Sequence, residues 1–478
     1  MSRRRMPKKR LSTTAPKDGT PLGDLSDAEL VEELARRRVA RGKMDLDAIE
    51  SFIEGAQSQI GEDALAATVA GLPPEGSEAK PCPNCGKPVP VKTHNRIRHV
   101  LTTAGELRLV RNYHYCRRCQ HGFYPRDREL KLPEEGEVSN AMERRILDFG
   151  VNDTFESAAE RWSIHYPTAI SSNLVRRVVD RVGRRCEAAS SELALQEACL
   201  SPCAEPAQSL VVASDGSMLL TREESWKEAK VAVVARGDAI IEEKNRRSVS
   251  EARYVAVLGG KQEFAASLKA ALEAEHADEV TNVVWLGDGA AENWTMASEL
   301  CPFAVQVLDV QHAIQNGMEC GKALLGESND CVPLWEKRIR QLLDAPAPDA
   351  AIRELMECVP ETTHEEELDA LDKLVGYYRH NERRMRYTTF RELGLPIGSG
   401  IVESAHRHVL QVRMKRAGQR WAIKRGRRMA RLRAAYRTAG PRRFHWAIRE
   451  ALKPAPALVE DTPLSYSRWR EWRRSASN

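Results

Sequence analysis

The sequence predicts a multidomain protein that combines α+β and α/β units, and three observations predict it. Two cysteine pairs bracket β-like runs at residues 80–125, strand and helix patterns alternate over 208–326, and polar helical periodicity fills most of the remainder. At 478 residues the chain exceeds one ordinary hydrophobic core.

Taken in order, residues 1–21 are basic and then Ser/Thr/Pro/Gly-rich, which predicts a disordered basic tail. Residues 22–76 form an N-terminal helical region. Ser26 and Glu29 make a capping box ahead of Leu30, Val31, Leu34 and Ala35, and a second helix over 46–71 stops at Gly71 before Pro73-Pro74. Over 77–130, RIRHVLTTAGELRLVRNYHY reads as two strands joined by a turn at Thr103-Ala104-Gly105. Cys82-x-x-Cys85 and Cys116-x-x-Cys119 flank this hairpin, and four thiolates at that spacing can close a tetrahedral Zn²⁺ site. Such a zinc is structural, because a closed shell leaves no open coordination position. The other seven cysteines lack paired spacing.

Residues 137–200 return to helix. Two apolar-periodic segments separated by a break at His165–Pro167 have the shape of a helix-turn-helix, with Arg176, Arg177 and Arg181 on the second helix; an ordinary three-helix piece would look similar. Residues 205–326 read as a mixed sheet: SLVVASDGSMLL, KVAVVARG and RYVAVLGG start it antiparallel, and VTNVVWLG and FAVQVL add parallel strands. A polar helical insertion occupies 327–391. A glycine turn then launches one long basic helix within 392–437, and 438–478 form a C-terminal tail in which Trp469 and Trp472 stand among arginines.

The net charge of +5 conceals a strong asymmetry. Residues 1–10 carry six basic side chains and residues 404–449 carry fifteen, with no acid in either, so +5 minus 21 leaves −16 on the rest. A 46-residue stretch without a carboxylate predicts a polyanion contact, and DNA phosphates are the expected partner of Arg407, Arg413, Lys415, Arg416, Arg420, Lys424 and Arg425. Trp421 in their midst could stack on a base or pack the helix onto the sheet. No apolar stretch approaches eighteen residues and the basic N-terminus lacks an apolar run, which predicts a cytoplasmic, nucleoid-associated protein without a membrane span.

Two Asp-Gly steps follow β-like runs, at Asp215 and Asp288, and Glu403 lies in the first turn of the basic helix. Three such carboxylates brought together could hold two Mg²⁺ or Mn²⁺ ions for in-line displacement at phosphorus. Asp-Gly also commonly marks no more than a turn. His312, in Asp309-Val-Gln-His312, is expected on the same sheet edge as Asp288, with either a functional or a structural role; Asp309 can equally be a helix N-cap.

The segments SDGS with WKEAKVAVV, LGDGAAENW, LDVQH and especially GSGIVESAHRHVLQVRMKRAGQRW resemble the Kra-type insertion-sequence transposases of bacteria, relatives of the Mutator-like DDE transposases. The upstream CPNCG…CRRCQHGFYPRD and helix-turn-helix-like unit extend the resemblance over most of 80–437. It implies an RNase H-like core interrupted by a helical insertion, preceded by a zinc ribbon, with Asp215, Asp288 and Glu403 as the metal-binding triad. It also aligns Asp309-x-x-His312 with the C/D-x-x-H element of the Mutator-like enzymes. His406 and His408, just after Glu403, depart from the pattern. The implied activity is binding of the element's terminal inverted repeats, DNA cleavage and 3′-OH strand transfer to target DNA by a homodimer or larger assembly. Two rival readings use the same residues: a non-enzymatic zinc-ribbon DNA-binding regulator, and an RNase H-like nuclease without strand transfer.

Overall fold

The computed structural model describes residues 45–451 except 134–135, 188–191, 201–206, 244–245, 346–347 and 358–363, together with 29–30, 32–33 and 36–37. The basic tail, Ser26 of the capping box and the segment from 452 onward lie outside the described residues. Among the described residues no helix is long and apolar enough to cross a membrane. The chain divides into two compact units: residues 1–145 with 163–169, and residues 146–162 with 170–478.

In the first unit, helix α1 (Leu46–Ala70) begins at Asp45, whose carboxylate accepts from the Ala48 N–H at 2.9 Å, and stops at Gly71 as predicted. Strands β1 (Lys80–Pro81) and β2 (Pro88–Val89) form one small ribbon. Strands β3 (Val91–Thr102), β4 (Gly105–Cys116) and β5 (His121–Phe123) form an antiparallel sheet in that order. The β3–β4 turn closes where the sequence placed it: Thr102 Oγ1 donates to the Gly105 carbonyl at 2.8 Å, and Gly105 takes φ 119°. Alternation sends Val100, Leu107 and Leu109 to one face, where Leu65 and Val69 of α1 and Leu130 and Leu132 cover them. Helix α2 (Pro125–Glu129) follows.

Next come α3 (Asn140–Asn152), α4 (Phe155–His165), α5 (Ser172–Glu187) and α6 (Glu192–Cys199). The predicted break between α4 and α5 is present. Arg177 is exposed and Arg176 half-buried on α5, whereas Arg181 faces the interior.

The second unit is built on five strands: β6 (Ser209–Leu220), β7 (Trp226–Arg236), β10 (Ala252–Leu258), β11 (Asn282–Gly287) and β12 (Val305–Leu308). Their spatial order is β10-β7-β6-β11-β12; the first three pair antiparallel, and β11 pairs parallel with both β6 and β12. A ribbon of β8 (Ile240–Glu243) and β9 (Arg246–Val249) departs from the β7–β10 connection, an element the sequence pattern did not reveal. The near-continuous apolar runs VAVV and VVWL match burial on both sheet faces. Helices α7 (Lys261–Glu273) and α8 (Ala291–Leu300) connect the later strands, and α9 (Val310–Leu325) follows β12. Helices α10 (Val332–Leu343), α11 (Pro348–Glu357), α12 (Glu365–Asn381) and α13 (Tyr387–Glu392) form the expected helical segment.

The single long basic helix expected after the glycine turn is interrupted. Helix α14 (Gly400–Ala405) runs into a π-helical turn at His406–Gln411 and ends in α15 (Val412–Met414); α16 (Ile423–Ala451) begins after an extended loop and bends at Gly440-Pro441. The loop has a job that helical periodicity cannot show. Trp421 exchanges main-chain hydrogen bonds with Leu220 and Arg222 at 3.0 and 2.9 Å, fastening the loop to the far end of β6.

Candidate functional site: a carboxylate pocket and a cysteine quartet

Asp215 lies in mid-strand, where the sequence placed it at a strand end. The parallel pairing of β6 with β11 stops at Ala213, while β6 continues to Leu220 against β7 alone. Asp215 therefore stands just beyond the carboxyl end of the parallel pair, and Asp288 directly follows β11. Both line one pocket of about 130 Å³, with Glu228 and Lys230 from β7 and Glu292 and Asn293 from α8. Four carboxylates against one ammonium make it electronegative, and oxygen donors of this kind suit hard divalent cations. Lys230 Nζ donates to Glu292 Oε2 at 2.7 Å. Burial opposes the Lys230 charge, yet Glu292, Glu228 and Asp288 outweigh it and hold its pKa above the usual value.

Asn293 braces the two aspartate segments: its Nδ2 donates to Asp288 Oδ1 at 3.1 Å and to the Ser214 carbonyl at 3.3 Å, while Ser214 Oγ donates to its Oδ1 at 2.5 Å. Tyr377, from the helical insertion, donates its hydroxyl to the Asp288 carbonyl at 2.9 Å. Neither residue was singled out from sequence, although Asn293 belongs to the LGDGAAENW segment. The glycines are committed to the protein's own side chains: a Cβ on Gly216 would lie 2.2 Å from Glu228 Oε1, and one on Gly289 2.5 Å from the Tyr377 hydroxyl. Gly289 also has φ 96°. Gly289→Ala should therefore lower unfolding free energy by ~2 kcal/mol, through left-handed backbone strain plus overpacking, readable as a lower chemical-denaturation midpoint.

Glu403 is exposed on α14, which packs against β6 and β7, but it does not line the pocket shared by Asp215 and Asp288. The residue that reaches Asp215 is His406: its Nε2 stands 3.4 Å from Asp215 Oδ2. Val402, Ala405, His406, Val409 and Leu410 form the buried stripe, and Glu403 lies beside it. Burial pushes the His406 imidazole below its ordinary pKa, against the pull of Asp215.

Asp309 is the N-cap of α9. Its Oδ1 accepts from the main-chain N–H groups of Gln311 and His312 at 2.6 and 3.1 Å, and its Oδ2 accepts from the Ser399 N–H. The buried carboxylate thus ties the glycine turn before α14 to the end of β12. His312 is half-buried in the first turn of α9.

The cationic stretch proves divided. Arg413 is buried, stacks on Phe155 and Trp421 at 4.8 and 5.2 Å, and donates to the Gly150 carbonyl. Trp421 is buried too, its indole N–H donating to the Met414 carbonyl at 3.0 Å. Arg413 thus departs from the phosphate-contact expectation, and Trp421 fits the packing alternative of the two roles the sequence offers it. Arg433 donates to the carbonyls of His408, Val409 and Val151 and to Asn152 Oδ1, satisfying acceptors at the π-helical turn. Burial brings Arg413 and Arg433 down to about 10, with neighbouring arginines adding to the effect. Arg428 pairs with Asp180 and Glu187, and Arg431 with Glu192. Arg407, Lys415, Arg416, Arg420, Lys424 and Arg425 remain exposed, and Lys415 Nζ donates to Ser217 Oγ at 3.2 Å, two residues along β6 from Asp215.

In the first unit the sulfur atoms of Cys82, Cys85, Cys116 and Cys119 all lie within 4.8 Å of one another, the one group of three or more potential ligands this close among the described residues. Cys85 and Cys116 are 3.8 Å apart at sulfur, which is the edge of a tetrahedron with Zn–S bonds of ~2.3 Å. The residue after each cysteine pair has positive φ, Gly86 at 70° and Gln120 at 49°, folding each pair back around its sulfurs. Burial resists ionisation of Cys82, but N–H groups of Asn84 and Cys85 draw it down to about 7; the shared hydrogen with Cys85 pushes Cys119 up to about 12. Four sulfurs gathered this closely could bind zinc.

The model of the Uncharacterised protein family (UPF0236) matches residues 89–450. No curated protein matches the chain. Among solved structures, a chain of the Drosophila P element transposase strand transfer complex is similar at 10% identity over 67% of this chain and 92% of that one. Its TM-score of 0.25 is too low to carry an argument about fold or function.

Proposed function

We propose that this chain, which belongs to the Uncharacterised protein family (UPF0236), is a DNA transposase with an RNase H-like catalytic core, a zinc ribbon and a helix-turn-helix-like DNA-reading unit. The observation that carries the reading is the convergence of Asp215 and Asp288, from neighbouring parallel strands, on one pocket of four carboxylates. The antiparallel β10-β7-β6 meander extended by parallel β11 and β12, with a helical segment before α14, supports the RNase H-like assignment.

Two divalent cations, Mg²⁺ or Mn²⁺, held by Asp215, Asp288 and Glu403, would supply Lewis acidity to the phosphodiester under attack. The remaining work falls to the chain. Lys415 and its exposed neighbours Arg407, Arg416, Arg420, Lys424 and Arg425 hold phosphates beside β6. Asn293 and Tyr377 fix the Asp288 turn, and Asp309 anchors the start of α14. His312, half-buried in the first turn of α9, acts with them at the catalytic site. Hydrolysis breaks a phosphodiester at the element end and frees a 3′-OH, which then attacks a target phosphodiester and releases that strand's own 3′-OH. Arg176 and Arg177 on α5 contact terminal repeats, Cys82, Cys85, Cys116 and Cys119 hold structural zinc, and pairing two ends calls for a homodimer or larger assembly on the nucleoid.

The test is a supercoiled plasmid carrying the gene and its flanking DNA. With Mg²⁺ or Mn²⁺ the wild-type protein should cut at the flanks and yield joined products, while Asp215→Ala should bind equally and cut nothing. Wild-type binding without cutting would sink the enzyme reading in favour of a regulator, and cutting without joined products would favour a nuclease. A companion measurement separates structural from DNA-facing arginines. Arg433→Met should lower unfolding free energy by ~3 kcal/mol, because it leaves buried carbonyls unpaired, and leave the salt slope of DNA binding unchanged. Lys424→Ala with Arg425→Ala should reduce that slope by ~0.9 per lost phosphate contact and leave stability unchanged.

A further inference from the structure

We propose that His406 is a direct ligand, beside Asp215, of one of the two divalent-cation positions, and that it makes this position prefer Mn²⁺ over Mg²⁺. The proposal rests on the two-cation reading above and adds a nitrogen donor that the three-carboxylate set lacks.

Three observations carry it. His406 is 3% exposed, and neither ring nitrogen makes a hydrogen bond of good geometry, although Asp215 lies beside it. A buried polar side chain left so is costly and is often explained by an ion or an ordered water. Its Nε2 points at Asp215 Oδ2 from 3.4 Å. Adjacent donors on one octahedral ion with bonds of ~2.1 Å lie ~3.0 Å apart, so a closing of ~0.4 Å would bring this pair to the span an ion sets.

The second observation is spacing. Glu403 and His406 are three residues apart on α14 and the turn it enters, which places them on neighbouring positions of one helix side. Glu-x-x-His pairs supply metal ligands in carboxylate-rich helical proteins; here His406 is the member of the pair that reaches Asp215, and Glu403 lies exposed beside the buried stripe. The third is the backbone. His406 opens a π-helical turn, a rare conformation concentrated at functional sites, and Arg433 holds it by binding the His408 and Val409 carbonyls. The turn is thus braced by a buried guanidinium.

The chemical consequence follows from donor type. Carboxylate and water suit Mg²⁺, whereas an imidazole shifts preference toward first-row transition ions, of which Mn²⁺ also accepts oxygen ligands. Direct ligation and a hydrogen bond from His406 to Asp215 differ in one measurable respect, since only a ligand nitrogen couples to the electron spin of the metal.

The experiment uses zinc-loaded, full-length protein titrated with MnCl₂ and followed by electron paramagnetic resonance, with electron spin-echo modulation on samples carrying ¹⁵N-histidine. The wild type should show histidine nitrogen coupling. His406→Gln should lose it and bind Mn²⁺ at least ~10-fold more weakly, with displacement by Mg²⁺ changed far less. Mn²⁺ bound in the wild type, released by Asp215→Asn, yet free of nitrogen coupling would overturn the proposal and leave the two-cation reading standing. A protein with no Mn²⁺ site sensitive to Asp215→Asn would overturn that reading itself. The wild-type spectrum decides the matter even if His406→Gln does not fold.

Discussion

Asp288→Asn should abolish divalent-cation-dependent DNA cleavage while leaving the protein folded and bound to DNA. The substitution keeps shape and the oxygen that accepts from the Ala290 N–H at 3.1 Å, so the turn before α8 keeps its side-chain hydrogen bond. What it removes is one negative charge from a pocket where four carboxylates face the single ammonium of Lys230. Loss of a supporting residue around a metal ligand typically costs ~10–100-fold, and loss of the ligand's own charge should exceed that. Asn293→Ala supplies the internal scale. It removes the brace between Ser214 and Asp288 while keeping the charges of Asp215 and Asp288, and should fall within that ~10–100-fold range. Cleavage rates on plasmid substrate, with thermal unfolding and DNA-binding titrations as controls, check both. Asp288→Asn with near wild-type cleavage would remove this residue from the reaction.

Cys116→Ser should empty the cysteine quartet and loosen the sheet of the first unit. Cys116 ends β4 and is buried with Cys82, Val89 and Phe123 in a cluster of four residues, with Cys85 and Cys119 packed against it. So small an apolar cluster contributes little, whereas structural zinc in isolated finger peptides binds with an apparent ~10–16 kcal/mol that acts as folding free energy. Zinc content should fall from one per chain toward none, and proteases should then cut within 77–130 where the loaded protein resists. Arg98 and Arg111, which share Asp127 of α2, should hold the middle of the β3–β4 ladder, so the damage is local. Full zinc retention in Cys116→Ser, or indifference of the wild type to a strong chelator, would show that the quartet is not a zinc site.

Where fold information was local, the sequence exposed it. Strands β6, β7, β10, β11 and β12 were legible because each is a short apolar run bounded by turn residues, and burial on both faces leaves such runs unbroken. The β3–β4 hairpin and its turn were legible from alternation and from Gly105. The π-helical turn was not. Its sequence has ordinary helical periodicity, and the distortion is stabilised by Arg433, 24 and 25 residues downstream of the carbonyls it binds.

The cationic stretch shows the limit most sharply. By itself the sequence determined that 404–449 contains fifteen bases and no acid, that four cysteines bracket one hairpin, and that Asp215 and Asp288 follow apolar β runs. Those are facts of composition and spacing, and local physics turns them into strands, helices and a metal-sized cluster. Only the tertiary structure decided which charges are spent inside the protein. The partners of Arg428 and Arg431 are Asp180, Glu187 and Glu192, which lie 239 to 248 residues away on α5 and α6, beyond any local window. It likewise decided that His406, and not Glu403, touches Asp215, because the buried stripe of α14 passes one residue to the side of the glutamate. Charge, burial and ligand reach depend on distance in space, and chain order specifies that distance only once the sheet is assembled.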